Sequence, residues 1–304
     1  MTEGSIRRAL VVCKRSAYDR YVRQHGMPRV IELLARDDVT VSRLRRADAH
    51  HQATVNETRD ALEALGVKVS LRYRDTLEVP PDVDLVVTVG GDGTLLAVSH
   101  NVRDTPLVGV NSAPEDSVGF LCGTQMGHVK AHLQRILEGE APRVKLARMA
   151  IFIDGQRVHG RVLNDALFTH PRPAYTSRYL VEHPSLEGSL QEQKSSGIWV
   201  STAAGSTAAI RSAGGQPMAL KSRQLQFVVR EPYTLPEGPT MLTRGFVRPG
   251  ERFGVLNKMR EARIFVDGPR ISFPVEMGQR VEFALSDEPL VLYGISQRAT
   301  DARR

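Results

Sequence analysis

Over the first 140 positions, short apolar runs alternate with stretches of helical spacing. Residues 7–13 carry the run Ala-Leu-Val-Val-Cys, and residues 84–89 read Asp-Leu-Val-Val-Thr-Val. The second run is near-continuous, as in a strand buried on both faces of a parallel sheet. Residues 67–72 and 106–110 are further strand candidates. Residues 17–36 read as helical, cut in two by Gly26 and Pro28. Residues 37–48 are polar and predict no element. Val55, Thr58, Leu62 and Leu65 recur at helical spacing, and Gly66 follows as a stop signal. Pro80-Pro81 reads as a loop, and residues 94–100 as the start of a helix. Strands alternating with helices predict a parallel sheet with right-handed crossovers.

After about residue 140 the helical spacing fades. Short runs rich in Val, Ile and Phe are bounded by turn dipeptides: residues 150–153 before Asp154-Gly155, 246–247 before Pro249-Gly250, and 264–266 before Asp267-Gly268. Asp-Gly between apolar runs is a hairpin signal. This half is therefore predicted to be mostly antiparallel β. No internal repeat or low-complexity tract is present, and the polar end, 297–304, is predicted to fray.

Length and composition narrow the class. A chain of 304 residues with 41% apolar and 25% charged residues is an ordinary globular chain of about two domains. No stretch approaches the ~20 apolar residues of a membrane span. The first residues lack the apolar core of a signal peptide, which predicts a cytoplasmic protein. Two cysteines, Cys13 and Cys122, both in apolar surroundings, predict buried reduced thiols rather than a disulfide framework. The net charge is +7, from 41 Lys and Arg against 34 Asp and Glu, and residues 1–50 supply +5 of it with 11 basic and 6 acidic residues. The basic residues are interleaved and lack aromatic partners or finger spacing, so nucleic acid is not the expected partner. A polyanionic ligand remains open.

The sharpest chemical signal is Gly90-Gly91-Asp92-Gly93-Thr94, directly after the buried run. A strand that ends in glycines and opens into a helix is suited to cradle phosphates. Glycine tolerates positive φ and lets the backbone approach an anion, and the helix start presents N–H groups. Thr94 is expected to cap that helix through its hydroxyl. Asp92 fits one of two tasks, taking a proton from an attacking hydroxyl or helping hold a metal ion beside the phosphates. The loop is not a Walker loop, which needs Gly-Lys-Ser/Thr. Nor is it a dinucleotide fingerprint, because Leu96 stands where Gly or Ala is needed. In the β half, residues 197–215 gather Ser201, Thr202, Ser206, Thr207 and Ser212 among small residues. Upstream, Asn164-Asp165 sets an amide beside a carboxylate, a pair that suits an adenine edge and a ribose diol but serves equally as a turn or cap. His128 and His132 stand four apart without a supporting Glu or Cys, so no metal site is assigned to them.

Together these segments resemble the ATP-dependent NAD kinases. The resemblance rests on Gly90 to Thr94, then Asn111 and Gly119-Phe120-Leu121, then Asn164-Asp165. The run Ser201-Thr202…Gly205-Ser206-Thr207-Ala208…Ser212-Ala213-Gly214-Gly215 completes it, and Asp267-Gly268 also fits. It implies a Rossmann-like α/β domain over residues 1–143, a β-sandwich dinucleotide-binding domain over 144–282, and a segment, 283–304, that returns to the first domain. It also implies transfer of the ATP γ-phosphate, with Mg2+ or another divalent cation, to the adenosine 2′-hydroxyl of NAD or NADH, in a homodimer or homotetramer that involves no membrane. On this resemblance Asp92 is the base, and Gly91, Gly93 and Thr94 contact phosphates. Asn111 and Phe120 belong to the nucleotide site, with Phe120 toward the nicotinamide half. Asn164 and Asp165 hold adenosine, and Thr202, Thr207, Ala208 and Ser212 line the adenine side. Two positions depart from the family pattern: Ala209 replaces its usual tyrosine, and Ser196 its usual aspartate. The first motif alone is shared with diacylglycerol and sphingosine kinases, so a lipid kinase stays open, as does a dinucleotide-binding regulator without catalysis.

Overall fold

The computed structural model describes residues 6–76, 79–80, 82–115, 117–234 and 240–295. Asp116, Pro81 and the polar end 297–304 lie outside them. The chain divides into two compact units. One runs to Val144 and resumes at Val291, and the other spans Lys145–Leu290.

The first unit is built on a seven-stranded sheet. Its strands are β1 (Arg8–Cys13), β2 (Lys68–Tyr73), β3 (Leu85–Gly90), β4 (Leu107–Asn111), β5 (Thr124–Gln125), β6 (Arg143–Leu146) and a returning strand, Leu290–Tyr293. The order is β2-β1-β3-β4-returning strand-β6, with β5 also paired to β4. β1 runs parallel to β2 and β3, and β4 runs parallel to β3, β5 and the returning strand. All six residues of β3 are buried, which accounts for its unbroken apolar run. The helical stretch 17–36 is indeed two pieces, a π-helical turn, Asp19–Gln24, and α1 (Pro28–Ala35), with Pro28 in the first turn of α1. Gly26 between them takes φ +54°. α2 (Leu44–Ala64) starts well before its apolar stripe and takes in part of the polar stretch 37–48. Tertiary hydrogen bonds bury Asp48 and His51 there, which a hydrophobicity pattern does not register. α3 (Asp92–Ser99) opens at the glycine loop. α4 (Val129–Leu137) buries Val129, Leu133 and Ile136, a helical stripe not assigned from the sequence.

The second unit holds two six-stranded sheets. One has the order β11 (Gln191–Ser195), β10 (Ser177–Glu182), β15 (Phe253–Asn257), β18 (Arg280–Leu285), β7 (Met149–Ile153), β8 (Gln156–Val162). The other has β14 (Arg244–Val247), β13 (Leu225–Val229), β12 (Ile198–Ser201), β9 (Asp165–Thr169), β16 (Ala262–Val266), β17 (Ile271–Val275). Their described pairings are antiparallel. Phe168 and Phe227 from one sheet share a core with Tyr179, Phe253 and Phe283 from the other, the packing of a β-sandwich. The Phe227 and Phe253 rings stack at 4.1 Å. Asp154-Gly155 and Asp267-Gly268 close the hairpins β7–β8 and β16–β17, both residues of each pair at positive φ. Pro249-Gly250 makes no hairpin. It carries the chain from β14 to β15, which lie in different sheets, because both edges of β15 are already paired, to β10 and β18.

Candidate functional site

In the first unit, four neighbouring parallel strands end at one cavity of about 360 Å3. The residue following each strand lines it: Lys14 after β1, Arg74 after β2, Gly91 after β3 and Ser112 after β4. Ligands of open α/β sheets bind outside these carboxyl ends. Asp92, Gly93 and Thr94 line it too, with Ser16, His51 and Ser117. Arg74, His51 and the serines were not assigned from the sequence. For Lys14, Arg74 and Ser112 the position just past a strand end was the available signal.

The glycines of the loop serve close approach rather than positive φ. Gly91 is extended at φ −102° and ψ −171°, and it takes the N-cap position of α3. A Cβ on Gly90 would collide with the Thr94 side chain, and one on Gly91 would meet Ser117 Oγ at 2.8 Å. A Cβ on Gly93 would meet nothing within 4 Å, so the cradle is open at that point. The N–H groups of Asp92 and Gly93 sit in the first turn, where a helix has no internal acceptor. Thr94 does not cap the helix as expected. No side chain caps α3, because Thr94 lies inside its first turn, buried against Gly90, and its N–H donates to the Gly91 carbonyl at 2.9 Å.

Asp92 points at the turn after β4. Its Oδ2 accepts the Phe120 N–H and its Oδ1 the Leu121 N–H, each at 2.8 Å. The Cys122 thiol also donates to Oδ1, at 4.0 Å. A carboxylate offers about four lone-pair sites, so one remains. Asn111 secures the same loop from below: its Nδ2 donates to the Ser117 carbonyl at 2.9 Å and its Oδ1 accepts the Ala113 N–H at 3.0 Å. Gly119 beside it takes φ +61°, and a Cβ there would strike the Asn111 amide. Asn111 and Gly119 line a separate cavity of about 480 Å3 together with His128 and His132. Among the described residues no group of three or more His, Cys, Asp and Glu gathers to hold a metal ion.

In the second unit the candidate residues cluster around Asp267. Its carboxylate accepts the N–H groups of Leu163, Asn164 and Asp165 at 2.8 to 2.9 Å. Burial, reinforced by the charge of Asp267, raises the Asp165 carboxyl from 3.8 to about 7. Thr202 donates its hydroxyl to the Leu163 carbonyl and accepts the Ala204 N–H at 3.1 Å. A Cβ on Gly205 would collide with the Asn164 carbonyl, so the small residue is required there. Two buried atoms of this corner, Asn164 Oδ1 and Ser201 Oγ, have no hydrogen-bond partner. Thr207 and Ala208 are half-buried, while Ala209 and Ser212 are exposed on a one-turn helix. Ser196 hydrogen-bonds the Glu231 carboxylate in a cavity of about 440 Å3, lined also by Arg178, Lys194, Tyr175 and Tyr233.

A strand-end phosphate cradle in an α/β unit, in one chain with an antiparallel sandwich carrying an amide–carboxylate corner, defines a nucleotide-binding phosphotransferase class. The family described as ATP-NAD kinase N-terminal domain matches residues 6–141. A probable NADH kinase of Oryza sativa subsp. japonica is 33% identical over 261 residues, covering 79% of this chain and 80% of that one. An NADH kinase of Arabidopsis thaliana is 35% identical over 240 residues, covering 71% and 75%. The fold matches the crystal structure of an NAD kinase from Archaeoglobus fulgidus in complex with ATP, with TM-score 0.69, 19% identity and coverage of 97% and 98%. It also matches yeast NADH kinase complexed with NADH, with TM-score 0.71, 14% identity and coverage of 99% and 87%. The chain belongs to the NAD kinase family.

Proposed function

We propose that this chain transfers the γ-phosphate of ATP to the adenosine 2′-hydroxyl of NAD or NADH, giving NADP or NADPH. One observation carries the phosphate half of this reading: Lys14, Arg74, Gly91 and Ser112, each the first residue past a parallel strand, converge on the cavity at the glycine loop. Two cations and the free N–H groups of a helix start suit a polyphosphate. Membership of the family supports kinase activity, and its relatives' names do not favour the lipid-kinase alternative.

Phosphoryl transfer asks the protein mainly for position and charge neutralisation. Gly91, Gly93 and Thr94 hold the phosphates, with Lys14 and Arg74 facing them. Asp92, already oriented by the Phe120 and Leu121 N–H groups, accepts the proton of the attacking hydroxyl on a remaining lone pair. Asn164 Oδ1, a buried acceptor lacking a partner, takes the adenine amino group, and Asp165 takes the ribose. Thr202 shapes this corner, Thr207, Ala208 and Ser212 line it, and Asn111 and Phe120 shape the turn that Asp92 holds. The described side chains form no cage for Mg2+. A divalent cation bound beside Asp92 and the glycine loop would supply neutralisation of phosphate charge, and no step is assigned to it. The family resemblance further supports a homodimer or homotetramer, which light scattering measures directly. The buried thiols Cys13 and Cys122 suit a reducing cytoplasm. Among the described residues no helix is long and apolar enough to cross a membrane.

The test is one coupled assay with NAD and NADH as acceptors, each with ATP and with polyphosphate as donor. NADP or NADPH formed from ATP is the expected result. ATP and dinucleotide binding without turnover would establish the regulator reading instead.

A further inference from the structure

We propose that His51 is a positioning residue of the phosphate-loop cavity, its imidazole clamping the ends of β1 and β4 on either side of the glycine loop. His51 Nε2 lies 2.8 Å from the Lys14 carbonyl, and Nδ1 lies 2.9 Å from Ser112 Oγ. A carbonyl only accepts, so Nε2 carries the proton and donates it. In the neutral ring Nδ1 is then the acceptor, and the Ser112 hydroxyl donates to it. Burial favours that neutral form by lowering the pKa of His51.

Lys14 and Ser112 are the first residues past β1 and β4, and those strands border β3 on its two sides. A single ring therefore bridges across the carboxyl end of β3, where Gly91 begins the phosphate loop. Ser112 is tied to that loop by its backbone as well, its N–H donating to the Gly90 carbonyl at 3.1 Å. The same helix holds the β1 side at a second point. One turn before His51, Asp48 accepts the Ser16 hydroxyl at 2.6 Å and the Arg23 guanidinium at 2.7 Å.

The placement of His51 within α2 strengthens the case. Residues 51, 55, 58 and 62 form one buried helical stripe, and three of the four positions are Val, Thr and Leu, which fill the core. His51 extends the stripe with a polar ring that is 1% exposed. Burying such a ring is costly unless both nitrogens are paired, and here each is paired to a residue lining the cavity. Packing alone calls for an aliphatic side chain at this position. The pairing instead fixes the backbone from which the Lys14 side chain departs and the hydroxyl that Ser112 presents.

The consequence rests on the kinase reading: loosening the clamp weakens the grip on ATP and leaves the dinucleotide untouched. The experiment compares His51→Ala, His51→Gln and Ser112→Ala with the wild type, reading KM for ATP and for NAD, kcat, Tm, and ATP dissociation constants by calorimetry. His51→Ala raises the ATP KM and dissociation constant about ten-fold, the scale of one or two lost hydrogen bonds, with NAD KM within about two-fold. His51→Gln keeps a donor within reach of the Lys14 carbonyl and restores most of the ATP affinity, and Ser112→Ala falls between. Lowered Tm with ATP affinity unchanged, or equal loss in the Ala and Gln variants, overturns the proposal. Should His51→Ala fail to fold, the other two variants decide it on the same criterion of ATP affinity. Wild-type protein that binds ATP but phosphorylates neither NAD nor NADH overturns the kinase reading alone, because the ATP dissociation constants still measure the clamp. Wild-type protein that does not bind ATP overturns both.

Discussion

Asp165 and Asp267 grip one another through their backbones while their carboxyls compete. The Asp267 carboxylate accepts the Asp165 N–H at 2.9 Å, and the Asp165 carbonyl accepts the Asp267 N–H at 2.9 Å. Burial and then the Asp267 charge raise the Asp165 carboxyl from 3.8 to about 7. The folded protein thus holds this proton more tightly than the unfolded chain. The resulting stabilisation is complete below about pH 4 and is lost as pH rises through about 7. Asp165→Asn, neutral at every pH, removes this slope. Urea unfolding at about pH 5 and about pH 8 should show the variant gaining on the wild type at the higher pH. Equal differences at both values would mean that Asp165 titrates normally.

Asp92 anchors the Phe120–Leu121 turn and is proposed as the base, and a substitution should separate the two roles. Asp92→Asn keeps one acceptor oxygen but sets an amide N–H against a backbone N–H. Leaving a buried donor unpaired costs about 1–3 kcal/mol, so Tm falls modestly. Loss of the general base lowers kcat by about 10²–10⁴-fold. Retained kcat in a variant with the lowered Tm would confine Asp92 to holding the Phe120–Leu121 turn.

The glycines of the loop divide into structural and open positions. Gly90→Ala drives a methyl group into Thr94, an overpacking that costs about 1–3 kcal/mol. Gly93→Ala meets no protein atom within 4 Å, so its melting temperature stays near that of the wild type. Its added methyl group nevertheless lies at the cradle and should raise the KM for ATP. Thermal melts and ATP titrations of the two variants should therefore rank in opposite orders.

Lys14 and Arg15 are adjacent in sequence and differ in placement. Lys14 lines the cavity. The Arg15 guanidinium lies 3.9 Å from the centre of the Tyr73 ring and 3.5 Å from Asp19. Lys14→Ala should raise the ATP KM by roughly 10-fold or more, since a hydrogen bond to a charged group contributes about 1.5–3 kcal/mol. The effect should grow at low salt. Arg15→Ala should leave that KM near wild type, and an equal effect of the two substitutions would assign the charge to general steering.

Much of the fold was legible because its signals are local. The buried run before Gly90, the break at Gly26 and Pro28, and the Asp-Gly hairpins each lie within a dozen residues. Pro249-Gly250 shows the limit of such signals, since a turn dipeptide states that the chain turns but not which sheet it turns toward. Thr94 shows the same limit at finer scale. Its type suits a cap, yet Gly91 holds that position because the backbone must pass Ser117 closely.

By itself the sequence determined the alternation of elements, the change from parallel to antiparallel texture near residue 140, and the contiguous phosphate loop. Periodicity and glycine placement are properties of neighbouring residues. Only the tertiary structure decided that Lys14, Arg74 and Ser112 meet Gly91, and that His51 reaches across them. Their meeting depends on the strand order β2-β1-β3-β4, which arises from pairing between distant segments and leaves no local trace in the chain.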